Sequence, residues 1–236
     1  MGLPKILHPT FSITIPSTQR IVHFRPFLVK EEKILLIAQA SDDKSDIVKS
    51  IKQIVQNCII EDDVDVNDFT TFDLEYFFIK LRSKSVQNIV KLSYKDREDG
   101  KIYDVQVDLE QVKVQESKQV SNKIELSPTS GILLRYPRVS ITEKIDSIND
   151  PVEFNFAIIE SCIECVYDGD TVYKLKDFSK QEVKEYIDSL DVKTYQSIQN
   201  FIDSMPTIEH VVSYTNSKGR EVKIYLRTIT DFFSLG

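Results

Sequence analysis

The sequence has few of the residues on which metal sites and nucleophilic active sites depend. Its 236 residues include three cysteines, three histidines and six glycines. The glycines form no G-x-G-x-x-G or Walker-type loop that could hold a phosphate. His8, His23 and His210 stand singly, which offers little for a Ser or Cys triad. We therefore predict no catalytic residues, no cofactor and no metal, and we expect the chain not to be an enzyme.

Long apolar runs and a basic excess are also missing. No run approaches the roughly 18 apolar residues of a membrane span, and Met1–Thr10 lacks the apolar core of a secretory signal. Lys and Arg number 30 against 37 Asp and Glu, so the formal net charge is −7, which argues against nucleic acid as the main partner. An odd number of cysteines is typical of reduced, intracellular thiols. We expect neither a membrane, nor a nucleic acid, nor a small-molecule substrate as a partner.

One pair of cysteines has the spacing of a metal or redox motif. Cys162 and Cys165 form a C-x-x-C sequence, but a zinc site needs a second pair of ligands, and Cys58 is the remaining cysteine. A redox pair favours a helix N-terminus, whereas this pair falls late in a predicted apolar helix. We interpret these cysteines as packing residues of the core.

An acidic segment copies part of a calcium loop. Asp63, Asp65 and Asn67 have the spacing of the first three EF-hand ligands. The match then fails, because Asp68 stands where the loop needs glycine and Leu74 where it needs glutamate. We interpret the segment as a solvated loop.

The first third of the chain predicts one hairpin and three helices. Apolar residues alternate on both sides of a polar turn, which is typical of a β-hairpin. In the first helix we expect the run Ile34–Ile37 to form the apolar side. Thr70 and Asp73 have the spacing of an N-terminal cap. In order, the predicted elements are a hairpin over Phe11–Phe24, a helix over Glu31–Ala40, a helix from Ile47, an acidic loop over Glu61–Asp68 and a helix after Thr70.

The remaining sequence predicts strands, then helices, then a final hairpin. The helix that begins at Asp150 is expected to run to about Tyr167 and to be central, because it is apolar on most faces. The other elements are a hairpin over Ile89–Leu109, strands near 112–114, 124–126 and 132–136, a mobile loop tip at Glu116–Asn122, helices between Ser179 and Met205, and a hairpin over Ile208–Leu226. The predicted fold is α+β, with a helical core and N-terminal, central and C-terminal hairpins. We predict a single domain over 1–236, with a central β-rich insertion at about 89–137.

Four residues are candidates for binding a partner. Arg82 and Lys84 could contact an acidic protein, or they could stabilise the C-terminal end of their own helix. Phe232 and Phe233 could fill the core of this chain, or they could anchor a partner in a pocket. The sequence leaves both pairs of alternatives open.

Short motifs follow one another in a specific order along nearly the whole chain. They are Leu3-Pro4-Lys5-Ile6, Pro9-Thr10-Phe11, Ile15-Pro16-Ser17-Thr18, Phe24–Lys33, Asp73-Leu74-Glu75-Tyr76-Phe77-Phe78, Leu81–Val86, Arg135-Tyr136-Pro137, Cys162–Asp170, Met205-Pro206 and Asp231-Phe232-Phe233. In this order they resemble the baseplate hub assembly proteins of T4-like bacteriophages. The resemblance implies a protein that helps to build the central hub of a contractile-tail baseplate.

We consider three hypotheses on function, of which the first two follow from the resemblance. The favoured one is a non-enzymatic assembly factor or chaperone for baseplate hub or tape-measure proteins, which would be found in the host cytoplasm during phage assembly. The alternative is a permanent structural subunit of the hub, located in the baseplate of the virion tail. A tail-associated lytic enzyme is a second alternative, and it rests on the abundance of carboxylates alone.

Overall fold

The computed structural model describes residues 6–40, 44–115, 120–145 and 148–233, apart from the side chains of residues 39, 44, 45, 142–144 and 233. The chain divides into two compact units: unit 1 comprises Met1–Gln115 with Thr207–Gly236, and unit 2 comprises Glu116–Pro206. Helices and small antiparallel sheets occur in both units, so the α+β prediction is confirmed. The start of the first motif, Leu3-Pro4-Lys5, and part of the predicted loop tip, 116–119, lie outside the described residues.

In its described part, unit 1 combines helices with three small antiparallel sheets. Its elements, numbered in chain order, are β1 (Phe11–Thr14), β2 (Ile21–Phe24), α1 (Val29–Gln39), α2 (Lys44–Cys58), α3 (Thr71–Ser85), β3 (Ile89–Lys95), β4 (Ile102–Asp108), β5 (Lys113–Gln115), β10 (Thr207–Thr215), β11 (Glu221–Leu226) and α8 (Ile229–Phe233). Strands β1 and β2 pair with each other, β3 pairs with β4, and β10 lies between β11 and β5. The N-terminal, central and C-terminal hairpins were all predicted, and all are confirmed.

Helix α3 lies at the centre of unit 1. Its start has the predicted cap: the hydroxyl of Thr70 accepts from the backbone N–H of Asp73 at 3.2 Å, and the carboxylate of Asp73 accepts from the backbone N–H of Thr70 at 3.0 Å. Asp73 also accepts from the backbone N–H of Ser17 at 2.9 Å, which ties the turn of the first hairpin to the helix. One buried apolar cluster of the unit consists of Ile79, Leu92, Val105, Val107, Leu109, Val112, Ile208, Val212, Leu226 and Phe232.

The rotation of α1 about its axis is set by a buried ion pair. Glu31 is fully buried and accepts from the guanidinium of Arg25 at 3.0 Å and from the backbone N–H of Leu28 at 2.9 Å. Leu35 and Ala38 are buried on the same side, as the helical period requires. The predicted apolar side over Ile34–Ile37 is therefore wrong for Leu36 and Ile37, because the side that carries Glu31 is the one that packs inward.

The described part of unit 2 contains four α-helices and a four-stranded sheet. Its elements are β6 (Lys123–Glu125), β7 (Ser130–Leu134), α4 (Val139–Ile145), α5 (Pro151–Cys162), β8 (Ile163–Asp168), β9 (Thr171–Tyr173), α6 (Lys180–Asp188) and α7 (Val192–Asp203). The described strands follow the order β6-β7-β8-β9, each antiparallel to its neighbour. The buried core consists of Ile132, Leu134, Ile159, Ile163, Val183, Ile187, Ile198 and Phe201.

The predicted helix over Asp150–Tyr167 is partly wrong. Asp150 caps it as expected, by accepting from the backbone N–H groups of Val152 and Glu153. The helix ends at Cys162, and the chain continues directly as strand β8. The β-branched residues Ile163 and Val166 favour a strand there, and pairing with β7 provides the hydrogen bonds that a helix would have made. Cys165 therefore lies on a strand, not late in a helix.

The predicted central insertion divides between the two units. Of the strands within 89–137, β3, β4 and β5 belong to unit 1, whereas β6 and β7 belong to unit 2. A single domain over 1–236 stays a prediction. Among the described residues, every helix is too short or too polar to cross a membrane.

Candidate docking surfaces

The predicted cations Arg82 and Lys84 lie near the end of α3 and face other parts of unit 1. The Nζ atom of Lys84 is 2.6 Å from a carboxylate oxygen of Glu110 and 5.7 Å from the centre of the Phe11 ring. Arg82 is half-buried, and burial lowers its pKa, although the nearby carboxylate of Glu32 acts in the opposite direction. Both side chains thus have interactions within unit 1, and contact with a partner stays a prediction.

Phe232 and Phe233 belong to the short last helix, α8. The side chain of Phe232 is 0% exposed and packs in the core cluster with Ile79 and Leu92. For Phe232 the structure therefore corresponds to the first alternative, a residue that fills the core of its own chain, and we do not propose it as an anchor. The side chain of Phe233 lies outside the described residues, and its role in binding stays a prediction.

The cysteines lie in settings that disfavour the reactive thiolate. Cys58 and Cys162 are fully buried, and burial raises their pKa values to about 12 and about 11. Burial also raises the pKa of Cys165, and Glu164 adds to the shift. High thiol pKa values suit packing rather than nucleophilic chemistry at neutral pH.

The acidic segment that resembles an EF-hand has structural contacts. Asp63 forms an ion pair with Arg20 at 2.8 Å. Asp65 accepts from the backbone N–H of Asn67 at 2.8 Å and so begins a 3₁₀ turn at Val66–Asp68. Within the described part of the chain, no group of three or more His, Cys, Asp or Glu side chains could hold a metal ion.

The outer face of α1 is apolar although it is exposed. Val29, Leu36 and Ile37 are 74%, 56% and 72% exposed. By the helical period they share one side with Lys30, Lys33 and Ala40, all exposed. We call these six residues the outer face of α1. A surface helix normally carries polar residues on this side, so the face is a candidate for contact with another protein.

A second candidate surface lies at the tips of two hairpins in unit 1. The β3–β4 turn and the β10–β11 turn are joined by a dense set of hydrogen bonds, which we call the turn clamp. Asp96 accepts from the hydroxyl of Tyr214 at 2.9 Å, and Asp99 accepts from the hydroxyl of Ser217 at 2.7 Å. The rings of Tyr103 and Tyr214 stack with their centres 4.5 Å apart.

The hydrogen bonds of the turn clamp shift the pKa values of its carboxyl and phenol groups. Burial would raise the pKa of Asp99, but hydrogen bonds from Ser217 and Tyr103 outweigh it and hold the pKa below its usual range. Burial and the carboxylate of Asp96 together raise the pKa of Tyr214 to about 12. Arg220 also forms an ion pair with Glu98 of the opposite turn. The two tips therefore form one preorganised polar surface.

Unit 2 contains an apolar groove of about 500 Å³. Its wall includes two aromatic rings that are partly exposed, those of Tyr173 and Phe178. Asp168 and Glu182 contribute charge to the same wall. The other lining residues are Leu126, Ser130, Val166, Tyr167, Leu175, Val183 and Tyr186.

These three surfaces were missed at the level of sequence. For α1, a signal was present: the continuous apolar run Ile34–Ala38 covers every side of the helix, so part of it stays exposed unless a second element covers it. The turn clamp joins Asp96 to Tyr214, which are 118 residues apart, and no local pattern reports such a contact. The groove depends on β8, most of which falls in the predicted helix, and on β9, where the sequence predicted no element.

The comparisons with known proteins identify one family. The family model described as "T4 bacteriophage base plate protein" matches residues 8–234, and this range includes all of unit 2, nearly all of unit 1 and all three surfaces. A search of curated proteins found no match, and a search of solved structures found none either. Because the family model matches nearly the whole chain, the predicted resemblance to T4-like baseplate proteins is confirmed. The chain belongs to the family of T4 bacteriophage base plate proteins.

Proposed function

We propose that this chain is a non-enzymatic assembly factor for the baseplate hub, acting as a chaperone for hub or tape-measure proteins. The observation that carries the proposal is the family match over residues 8–234, which gives the chain a structural or assembly role in a phage baseplate. Such a role implies contacts with other baseplate proteins. The more specific role as a temporary factor is our inference.

The uncovered apolar surfaces support a role in binding proteins. Unit 1 exposes Leu36 and Ile37 on α1, and unit 2 exposes Tyr173 and Phe178 beside its groove. A chaperone needs such surfaces, because it must cover apolar segments of its clients until they reach their final contacts. Free in the host cytoplasm, the protein would keep these surfaces available.

A permanent structural subunit of the hub is the second candidate. The turn clamp favours it, because a surface preorganised by hydrogen bonds across two turns loses little entropy on docking. In that case the protein would lie in the baseplate of the virion tail, and its apolar surfaces would be covered there. The hypothesis of a tail-associated lytic enzyme has no observation in its favour, and we do not propose it.

Quantitative mass spectrometry of purified phage and of tail-assembly intermediates from the same infection separates the two candidates. Presence in intermediates and absence from mature phage is the result expected for an assembly factor. A fixed integer ratio to known tail proteins in mature phage would instead identify a structural subunit. Absence from both would contradict either role.

A further inference from the structure

We propose, on the basis of the assembly role proposed above, that the outer face of α1 binds an amphipathic helix of another baseplate protein, and that acidic residues flank the apolar stripe of that helix. The bound element is a helix rather than a strand, because α1 satisfies its own backbone groups and offers no edge for strand pairing. Its side-chain ridges suit the grooves of a second helix.

The outer face of α1 exposes apolar surface over two helical turns. Val29, Leu36 and Ile37 are all more than half exposed, and positions 29 and 37 lie about 12 Å apart along the helix axis. That length is two turns, which is enough for a set of i, i+7 and i+8 contacts with a second helix.

Helix α1 cannot rotate about its axis to bury these residues. Glu31 is held on the inner side by Arg25 at 3.0 Å and by the backbone N–H of Leu28 at 2.9 Å. Rotation would break this ion pair and would expose Leu35 and Ala38, which are buried. An external protein can cover the outer face without either cost.

The outer face of α1 is positively charged. The outer face carries Lys30 and Lys33 and no acidic residue, since Glu31 points inward and Glu32 is half-buried on the flank. The cation of Lys30 is 66% exposed and lies 3.4 Å from Glu31, so it stands at the edge of the face. A helix with acidic flanks complements these lysines. The same face of a second copy of this chain does not, because the outer face of α1 has no acidic residue to place against these lysines.

Photo-crosslinking in infected cells tests the proposal on the full chain. Ile37 is replaced by p-benzoylphenylalanine, and Val192 of α7 serves as the matched control, because it is also a helical apolar residue that is 72% exposed. We expect position 37 to crosslink to a baseplate protein, at a helical segment with Asp or Glu beside its apolar residues. Equal crosslinking at positions 37 and 192, or crosslinking of position 37 to another copy of this chain, would overturn the proposal.

Binding of designed peptides tests the charge argument. Two helical peptides of about 20 residues share one leucine stripe, flanked by Glu in one and by Lys in the other. Fluorescence anisotropy should show roughly tenfold tighter binding of the Glu peptide to the wild-type protein, because attraction replaces like-charge repulsion. The double variant Lys30→Glu, Lys33→Glu should reverse the preference, and Val192→Lys should leave it unchanged. Equal binding of both peptides would contradict the proposal.

Different results would contradict the docking face on α1 and the assembly role of the protein. If the protein is found in tail-assembly intermediates but position 37 crosslinks no better than position 192, the docking face is wrong and the assembly role stands. If the protein is absent from intermediates and from mature phage, the assembly role is wrong whatever the peptides show.

Discussion

Helices α1 and α7 differ in what they expose. Helix α7 buries Ile198 and Phe201, and apart from Val192 at its start its outward positions, at the helical period, are polar: Lys193, Gln196, Asn200 and Asp203. Helix α1 buries a glutamate and exposes Leu36 and Ile37. In α7 the apolar pattern alone determines which side faces the core. In α1 the apolar run Ile34–Ala38 lies on all sides of the helix, and the ion pair between Arg25 and Glu31 determines which side faces the core.

The exposed sides of the two helices differ in whether they favour contact with a partner: that of α7 is mostly polar, whereas that of α1 is partly apolar. The polar outward residues of α7 are hydrated and require no partner. Contact with water is unfavourable for the exposed apolar residues of α1, and the ion pair between Arg25 and Glu31 keeps them on the outer side. An apolar face held outward in this way is a feature of a protein that docks, and it is consistent with membership of a baseplate family.

The largest effect is expected in the core contact of α7. The ring of Phe201 is 3% exposed and stacks on Tyr136, with the ring centres 4.7 Å apart. The substitution Phe201→Ala should lower the free energy of unfolding of unit 2 by about 3–5 kcal/mol, because it removes buried apolar contacts and leaves a cavity. Urea denaturation followed by circular dichroism measures the loss, and hydrogen exchange by peptide assigns it to α7. A loss no larger than that of Leu36→Ala in α1 would contradict the comparison.

The ion pair that orients α1 should give the next largest effect. Glu31→Ala leaves Arg25 largely buried without its carboxylate, which should cost about 3 kcal/mol. Asp63→Ala is the matched control, since it breaks the exposed pair with Arg20 and should cost roughly 1 kcal/mol or less. Equal losses in the two variants, measured by urea denaturation, would show that the buried pair does not orient the helix.

The same pair gives a dependence on pH. Burial raises the pKa of Glu31, but the hydrogen bonds from Arg25 and Leu28 outweigh it, so the pKa lies below its ordinary value of 4.5. The stabilisation by this carboxylate is therefore present above the ordinary pKa and is lost as the pH falls through the lowered pKa. In urea denaturation at a series of pH values, the difference between wild type and Glu31→Gln should shrink on acidification below 4.5. A constant difference down to the acid limit of folding would contradict this assignment.

Much of the fold could be predicted because it depends on local patterns. The cap of α3 spans the four residues Thr70–Asp73, and the turn of the C-terminal hairpin needs the positive φ of +78° found at Gly219. Patterns of this kind are readable in the sequence itself. The end of α5 at Cys162 was not, since its continuation as β8 is decided by pairing with β7, about 30 residues away in sequence.

The docking surfaces were harder to predict than the fold. The sequence indicated Arg82, Lys84, Phe232 and Phe233 from their residue types, and the structure gives three of them contacts within unit 1. An exposed apolar face is defined by what fails to cover it, which depends on the rotation of a helix rather than on composition. For α1 that rotation follows from Glu31, a residue that a search for apolar periodicity passes over.

A smaller effect is expected where α7 begins. The carboxylate of Asp191 accepts from the backbone N–H of Thr194 at 2.7 Å, whereas the corresponding residue of α1, Leu28, makes no side-chain hydrogen bond as a cap. Asp191→Ala should lower the free energy of unfolding of unit 2 by about 1 kcal/mol, because an N–H group of the first turn loses its acceptor. Leu28→Ala removes no such bond and serves as the comparison in the same urea experiment. A loss in hydrogen-exchange protection confined to the first turn of α7 would support the assignment, and unchanged protection there would contradict it.

The smallest effect on stability should come from the outer face of α1 itself. The double substitution Leu36→Lys, Ile37→Lys changes two side chains that are more than half exposed, so the free energy of unfolding should change by about 0.5 kcal/mol or less. The same variant should lose binding to the acidic-flanked peptide, because the apolar contacts are gone although the face has become more basic. Charge alone would predict tighter binding, so the sign of the change separates an apolar docking face from simple electrostatic attraction. A large loss of stability would show instead that these residues pack against this chain, and α1 would then resemble α7.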